Sequence, residues 1–312
     1  MNCPYCKSSH VVKRGMRKLR FETVQTYQCK QCKKRFQDKK ISKKSYPPQV
    51  VYDALVLYHQ GFSLDETRKR VNKRFKVKVG LSTIHSWVKE YEFFCPIHNQ
   101  RDLFSGEDKN VIFRKRFDHV NLDYEFRYHR LKLEKNVKNA FSSLYHYLKR
   151  FENGCPDAFF EVGKRCSQPV FEPNAGVEFL RSKNLSCEMA DFAVKASRNN
   201  YQRHDLVEEF MLVNDIATVA VEVPVWYWEK SVDSGITGHI DILQVRNDHV
   251  YILDYKPNAA RDKKAAGQLY HYAVALSFRA RVRFNQIRCA WFDKDDYFEF
   301  SPATIKAKLK DN

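Results

Sequence analysis

The stretch Gly238-His239-Ile240-Asp241-Ile242-Leu243-Gln244-Val245-Arg246-Asn247-Asp248-His249-Val250-Tyr251-Ile252-Leu253-Asp254-Tyr255-Lys256 decides the reading of this chain. Residues 240–246 and 250–256 are apolar, β-branched runs, and the Asn247-Asp248 pair between them suits a two-residue hairpin turn. If Arg246 faces His249, the same pairing carried outward sets Asp241 opposite Asp254. Directly opposed residues hold their Cβ atoms roughly 4.5–5.5 Å apart. Two carboxylates that close repel, and a divalent cation between them resolves the conflict. Strand alternation puts Lys256 on the face of Asp254. There a lysine can help activate water or steady charge building on a phosphate oxygen. Downstream, Gln268 and Tyr272 are i,i+4 neighbours on an expected helix.

The ordered motifs G-x-x-D (Gly238 to Asp241), D-x-K (Asp254 to Lys256) and Q-x-x-x-Y (Gln268 to Tyr272) resemble the PD-(D/E)xK nuclease superfamily, in its RecB-like and Cas4-like branch. The resemblance covers roughly residues 200 to 295. It implies a restriction-endonuclease-like α/β core and metal-dependent hydrolysis of nucleic-acid phosphodiesters. Asp241 and Asp254 would bind Mg2+ or Mn2+, helped by the Tyr255 carbonyl, with Lys256 acting beside them. His204 stands where the branch often carries a metal-binding histidine, although Val207 and Met211 share its helical face and also allow a core histidine. Glu222, on an apolar strand before the hairpin, stands where the family often has an acid. Gln268 and Tyr272 would orient the lysine or the DNA, or else cap the core.

The chain has 312 residues, room for two or three small domains. Its formal net charge is +18, and residues 1–92 hold 22 Lys+Arg against 7 Asp+Glu, so most of the excess sits at one end. A basic head on a near-neutral body is the electrostatic footprint of a protein that docks on nucleic acid, with duplex DNA as the expected partner. No run approaches the ~18 apolar residues of a membrane span and no signal peptide is read, so a reducing, cytoplasmic location is expected. Nine cysteines, partly in CxxC pairs, then point to metal rather than disulfides.

Cys3-Pro4-Tyr5-Cys6 and Cys29-Lys30-Gln31-Cys32 supply the four thiolates of a closed, structural zinc site. Short strands are expected over residues 11–20 and 22–28, in a ribbon too small to fold without its metal. With Phe36 after the second knuckle, this head (residues 1–44) resembles the zinc ribbons of many transposases. A basic linker (Lys39, Lys40, Lys43, Lys44) leads to a three-helix segment over 45–92. It opens after Tyr46-Pro47-Pro48, breaks at Gly61, resumes at a Ser63–Glu66 capping box and starts again with Ser82 as cap. Its phrasing resembles the helix-turn-helix of IS6-type transposases. Thr83, His85, Ser86 and Lys89 would then face the major groove, with Arg68 and Lys69 as further DNA contacts, while Ile84, Trp87 and Val88 pack inward.

Residues 93–195 read as a mainly helical intermediate region, with 123–151 largely helical and Phe126, Leu131, Leu133, Val137, Phe141, Leu144 and Leu148 available for burial. Residues 196–312 form the expected nuclease core. The sum is a metal-dependent DNA endonuclease carrying a DNA-reading head, of the sort a mobile element would encode. The alternatives are an exonuclease or end-processing nuclease, and a DNA-binding regulator whose nuclease fold is inactive. The intact Asp241, Asp254 and Lys256 argue against the last.

Overall fold

A computed structural model of the chain describes residues 2–18, 23–37, 46–105, 109–119, 122–156, 160, 163–167, 179–230 and 233–305. The expected linker lysines 39, 40, 43 and 44 lie outside the described residues.

The amino-terminal ribbon is a three-stranded antiparallel sheet of β1 (Val11–Lys18), β2 (Thr23–Cys29) and β3 (Arg35–Gln37), in that order. Phe36 is buried on β3 and stacks on Tyr27 of β2 at 5.8 Å. The three expected helices follow as α1 (Pro48–His59), α2 (Leu64–Phe75) and α3 (Leu81–Glu90). Ser63 and Glu66 close the capping box reciprocally, satisfying two orphan amides at the start of α2. The start of α3 corrects the expected Ser82 cap, because Gly80 holds the N-cap position and no side chain bonds there. Gly80 carries the extended backbone a cap needs, so Ser82 falls inside the first turn. The connection from α2 to α3 is held by Asn72, which accepts from the Val79 amide at 2.8 Å and donates to the Val79 carbonyl at 3.1 Å.

The rest of the described residues build a nine-stranded, mostly antiparallel sheet, so the fold is mixed α/β. Its strands are β4 (Ile112–His119), β5 (Leu122–His129), β6 (Lys164–Arg165), β7 (Leu180–Ser182), β8 (Thr218–Glu229), β9 (Ser234–Arg246), β10 (His249–Tyr255), β11 (Ile287–Phe292) and β12 (Tyr297–Phe300). They lie in the order β4-β5-β8-β9-β10-β11-β12-β7, with β6 paired to β9. The β10–β11 and β6–β9 pairs are parallel. Helices α4 (Ser142–Arg150) and α7 (Ala265–Ala280) share one core with the sheet. Helices α5 (Leu185–Ala196) and α6 (Arg203–Asn214) share another with it, which also takes in α1 and α3. Tyr52 of α1 donates to the Leu206 carbonyl of α6 at 2.9 Å, so the three-helix segment packs on the helix that carries His204.

The expectation of helix over 123–151 fails in its first part: residues 122–129 are strand β5, paired antiparallel with β4. The physical reason is visible in Asp123-Tyr124-Glu125-Phe126-Arg127-Tyr128, where aromatics alternate with charges at period two, as a strand between two environments requires. Phe126 and Tyr128 enter the α4–α7 core. Arg127 is buried apart from that core, in an ion pair with Glu208 of α6. Beyond β5, Leu133, Val137, Leu144 and Leu148 are buried as expected, on a π-helical turn (Leu133–Val137) and on α4. Among the described residues no helix is long and apolar enough to cross a membrane.

Candidate metal centre

The hairpin forms with the expected register. Arg246 pairs with His249 and Ile242 with Leu253, and Asn247 and Asp248 take left-handed backbones at φ 49° and 57°, the conformation a two-residue primed turn demands. One step beyond the Ile242–Leu253 pair, the Asp241 carboxyl meets that of Asp254. On the other side of β9, Val221 of β8 pairs with Ile242 and Val223 with Ile240, which sets Glu222 across from Asp241. Three carboxylates therefore stand in a row on three neighbouring strands.

Glu222 also has a left-handed backbone, φ 51°, inside a strand. The consequence is a change of face. Val221 and Ile242 belong to the core under α6, whereas Val223 and Ile240, two residues away on the same strands, belong to the core under α7. Regular alternation would keep residues two apart on one face. The twist at Glu222 is how groups from both sides of the sheet reach Asp241. Non-glycine residues pay of the order of 1–2 kcal/mol for this conformation, and such strain concentrates at functional sites.

From the α6 side come His204 and Glu208, one turn apart on one helix face. Single donor atoms of His204, Glu208 and Asp241 lie within 4.8 Å of one another, a group that could hold a metal ion. His204 Nδ1 is 3.6 Å from Asp241 Oδ2, and its ring packs edge-on against Tyr255 at 5.1 Å. Tyr255, whose carbonyl is the expected contribution, thus also sets its ring against His204. Glu208 was missed in the sequence, although its i,i+4 spacing from His204 was a usable signal. Its Oε2 is 2.8 Å from Arg127 Nη2, while its Oε1 is buried with no hydrogen-bond partner among the described residues.

From the α7 side come Tyr272 and Gln268, whose Nε2 donates to the Tyr272 hydroxyl at 2.7 Å. Tyr272 lies close enough to Asp241 and Asp254 to feel both charges. Gly238 makes that approach possible: a Cβ there would lie 2.4 Å from Tyr272 Cε1 and 3.1 Å from Cys166 Sγ. Lys256 sits at the end of the row, its Nζ 2.8 Å from Asp254 Oδ2 and its backbone amide bonded to the Phe292 carbonyl at 2.9 Å.

The electrostatics are those of an acidic cluster short of positive charge. Burial and the neighbouring Asp241 charge push Asp254 well above the ordinary carboxylate range. Burial also opposes charge on Asp241, but its contacts with His204 and Asp254 and the charge of Lys256 bring it below the usual value. Burial and Glu222 raise Glu208 strongly, against the pull of Arg127. Burial and Asp241 raise Glu222 to about 8. His204 and Lys256 both gain proton affinity, since the carboxylates beside them outweigh burial. Asp254, Glu208 and Glu222 therefore hold protons more readily than free carboxyls do, and a cation among them would favour their charged forms.

The second candidate centre is the ribbon. Four sulfurs, of Cys3, Cys6, Cys29 and Cys32, lie within 4.8 Å of one another, with Cys3–Cys32 at 3.6 Å and Cys6–Cys29 at 3.5 Å. A tetrahedral zinc with ~2.3 Å bonds needs sulfurs roughly 3.8 Å apart, so the set can bind structural zinc. The two knuckles repeat one backbone design. The Cys3 amide donates to the Ser8 carbonyl and the Cys29 amide to the Lys34 carbonyl, each five residues on. Lys7 and Lys33, each just after the second cysteine, are left-handed. The Cys32 amide, then the Cys6 side chain and the Gln31 amide lower Cys29 to about 6, while burial and the neighbouring sulfurs raise Cys6, so the sulfurs hold protons unequally without a metal.

On α3, His85, Ser86 and Lys89 are exposed and Thr83 half-buried, with Ile84, Trp87 and Val88 inward. Arg68 and Lys69 on α2 both pair with Asp65, at 2.7 and 2.6 Å. These positions lie on different elements from the carboxylate row and do not join it. Comparisons with protein-family models, curated proteins and solved structures returned no match.

Proposed function

We propose that this chain is a metal-dependent DNA endonuclease. The observation that carries the reading is the row of Glu222, Asp241 and Asp254 across three strands, joined by His204 and Glu208 and ended by Lys256. A row built for structure alone would be a costly one, because buried carboxylates this close must take up protons or find a cation. Among the described residues the buried Oε1 of Glu208 lacks a hydrogen-bond partner, and the buried Asp254 carboxyl has the Lys256 ammonium at 2.8 Å and the Asp241 carboxyl beside it. Oxygen donors with one imidazole suit Mg2+ or Mn2+. Asp241, Glu208 and His204 would hold such an ion, with Asp254 and Glu222 adjoining. A cation there supplies Lewis-acid chemistry, polarising a phosphate oxygen.

The chain's own groups do the rest. Lys256, kept charged by Asp254, donates to the phosphate oxygen on which charge builds. Gln268 and Tyr272 fix the helix against Gly238 and so the distance between α7 and the carboxylates. The zinc-stabilised ribbon and the exposed face of α3 (Thr83, His85, Ser86, Lys89) hold duplex DNA, and the positive excess of residues 1–92 supports that partner. Docking through a basic end that packs on α6, the helix of His204, favours cutting within a duplex over running along it from an end.

The test is cleavage of closed circular DNA in Mn2+ or Mg2+, with wild type beside Asp254→Asn. Nicked or linear product from wild type alone supports the reading. Intact circles with shortened linear fragments would make the protein an exonuclease. Retained DNA binding without cutting of either would make it a DNA-binding regulator.

A further inference from the structure

Arg127 has no counterpart in the motifs that suggest a nuclease. It comes from the β4–β5 hairpin, eighty-one residues before Glu208 in sequence. Its side chain is 8% exposed and that of Glu208 1%, so their 2.8 Å ion pair is fully buried. A guanidinium commonly takes a carboxylate with two parallel bonds. Here one Nη2–Oε2 bond is made, Arg127 Nε has no hydrogen-bond partner among the described residues, and Glu208 Oε1 is left bare. Glu208 is at the same time one of the three residues whose donor atoms converge with those of His204 and Asp241.

We propose that Arg127 is a positioning residue for the metal centre: it occupies one oxygen of Glu208 and leaves the other turned to a divalent cation shared with His204 and Asp241. The inference rests on the metal-dependent reading given above. Two effects of Arg127 oppose each other. Its charge repels a cation, but it also fixes the Glu208 rotamer and compensates a buried carboxylate. Stripping a buried ion of its partner costs about 3–5 kcal/mol. Repulsion between the guanidinium and a cation on the far oxygen is weakened by distance and by the carboxylate between them. Compensation therefore wins, as it does where ligating carboxylates depend on hydrogen bonds from residues behind them.

The test is Mn2+ binding measured by calorimetry on the full chain, with folding followed by circular dichroism. Arg127→Met should weaken Mn2+ binding by about 10–100-fold, and Arg127→Lys, which keeps the charge, should recover part of the loss. The cleavage rate of Arg127→Met should approach wild type as Mn2+ is raised, since the lost step is ion capture. Tight Mn2+ binding by a folded Arg127→Met, equal to wild type or better, would overturn the proposal. Should that variant not fold, a cycle decides: Arg127→Lys should weaken binding in wild type and have no effect in a Glu208→Gln background. An equal loss in both backgrounds would overturn it. The two readings fail separately. Mn2+ binding that depends on Glu208 and Arg127, without cleavage of any DNA, would sink the nuclease reading alone. Mn2+-dependent cleavage with affinity indifferent to Arg127 would sink only the role of Arg127.

Discussion

Glu222 holds a left-handed backbone directly across from Asp241, and the two strands that carry them change face at that point. A glycine is at ease in this conformation, so Glu222→Gly should relieve about 1–2 kcal/mol of strain, offset by its own entropy cost of about 0.5–1 kcal/mol. It also removes a carboxylate from a crowded acidic row. The metal-free variant should melt at a higher temperature than wild type while binding Mn2+ less tightly. A lower melting temperature would show that Glu222 supports the fold more than it strains it.

Gly238 and Tyr272 tie the two outer motifs together. In Gly238→Ala the new methyl would meet the Tyr272 ring at 2.4 Å, with Cys166 Sγ closing the other side at 3.1 Å. Both neighbours are buried, so the ring must move, at a cost of about 1–3 kcal/mol. Urea unfolding should register that loss. In a Tyr272→Leu background the same substitution should cost clearly less, because the clash has gone. Equal costs in both backgrounds would mean that the glycine serves another purpose.

Divalent cations should stabilise the protein, and more so at higher pH. Asp254 and Glu208 are raised well above their ordinary values, and Glu222 from 4.5 to about 8. A carboxyl raised by folding leaves the folded state with more protons than the unfolded one. Its contribution is therefore greatest below the unfolded value near 4.5 and is lost as pH rises towards 8. A cation bound among these carboxyls would compete with protons, and at a hundred times its dissociation constant would add about 2.7 kcal/mol. The rise in melting temperature on adding Mn2+ should be larger at pH 8 than at pH 5.5. The opposite order would contradict the proton–metal exchange.

Zinc removal should act on the ribbon alone. Its buried apolar cluster is Cys3, Cys29 and Phe36, with Val11, Tyr27 and Cys32 partly buried around it, too little to offset chain entropy without the metal. A strong chelator should release one zinc per chain and collapse the amide dispersion of residues 2–18 and 23–37, leaving the β10–β11 region protected from hydrogen exchange. Unchanged ribbon signals after complete chelation would exclude a structural zinc.

The sequence by itself determined what short-range geometry governs. The two-residue turn fixed the register that sets Asp241 against Asp254, the CxxC spacing gathered four sulfurs, and Ser63 with Glu66 started α2. The alternation of residues 123–128 was equally legible as a strand, but a run of aromatics and charges also suits a helix until one counts its period. Only the tertiary structure decided that Glu208 and Arg127 meet beside His204 and Asp241, and that Glu222 abandons regular strand geometry between them. Turns and knuckles are closed by hydrogen bonds between near neighbours, which residue types and spacing specify. A helix, a hairpin and a strand pair that lie far apart in the chain are brought to one point by shared burial. No local pattern encodes which buried charge will find which partner there.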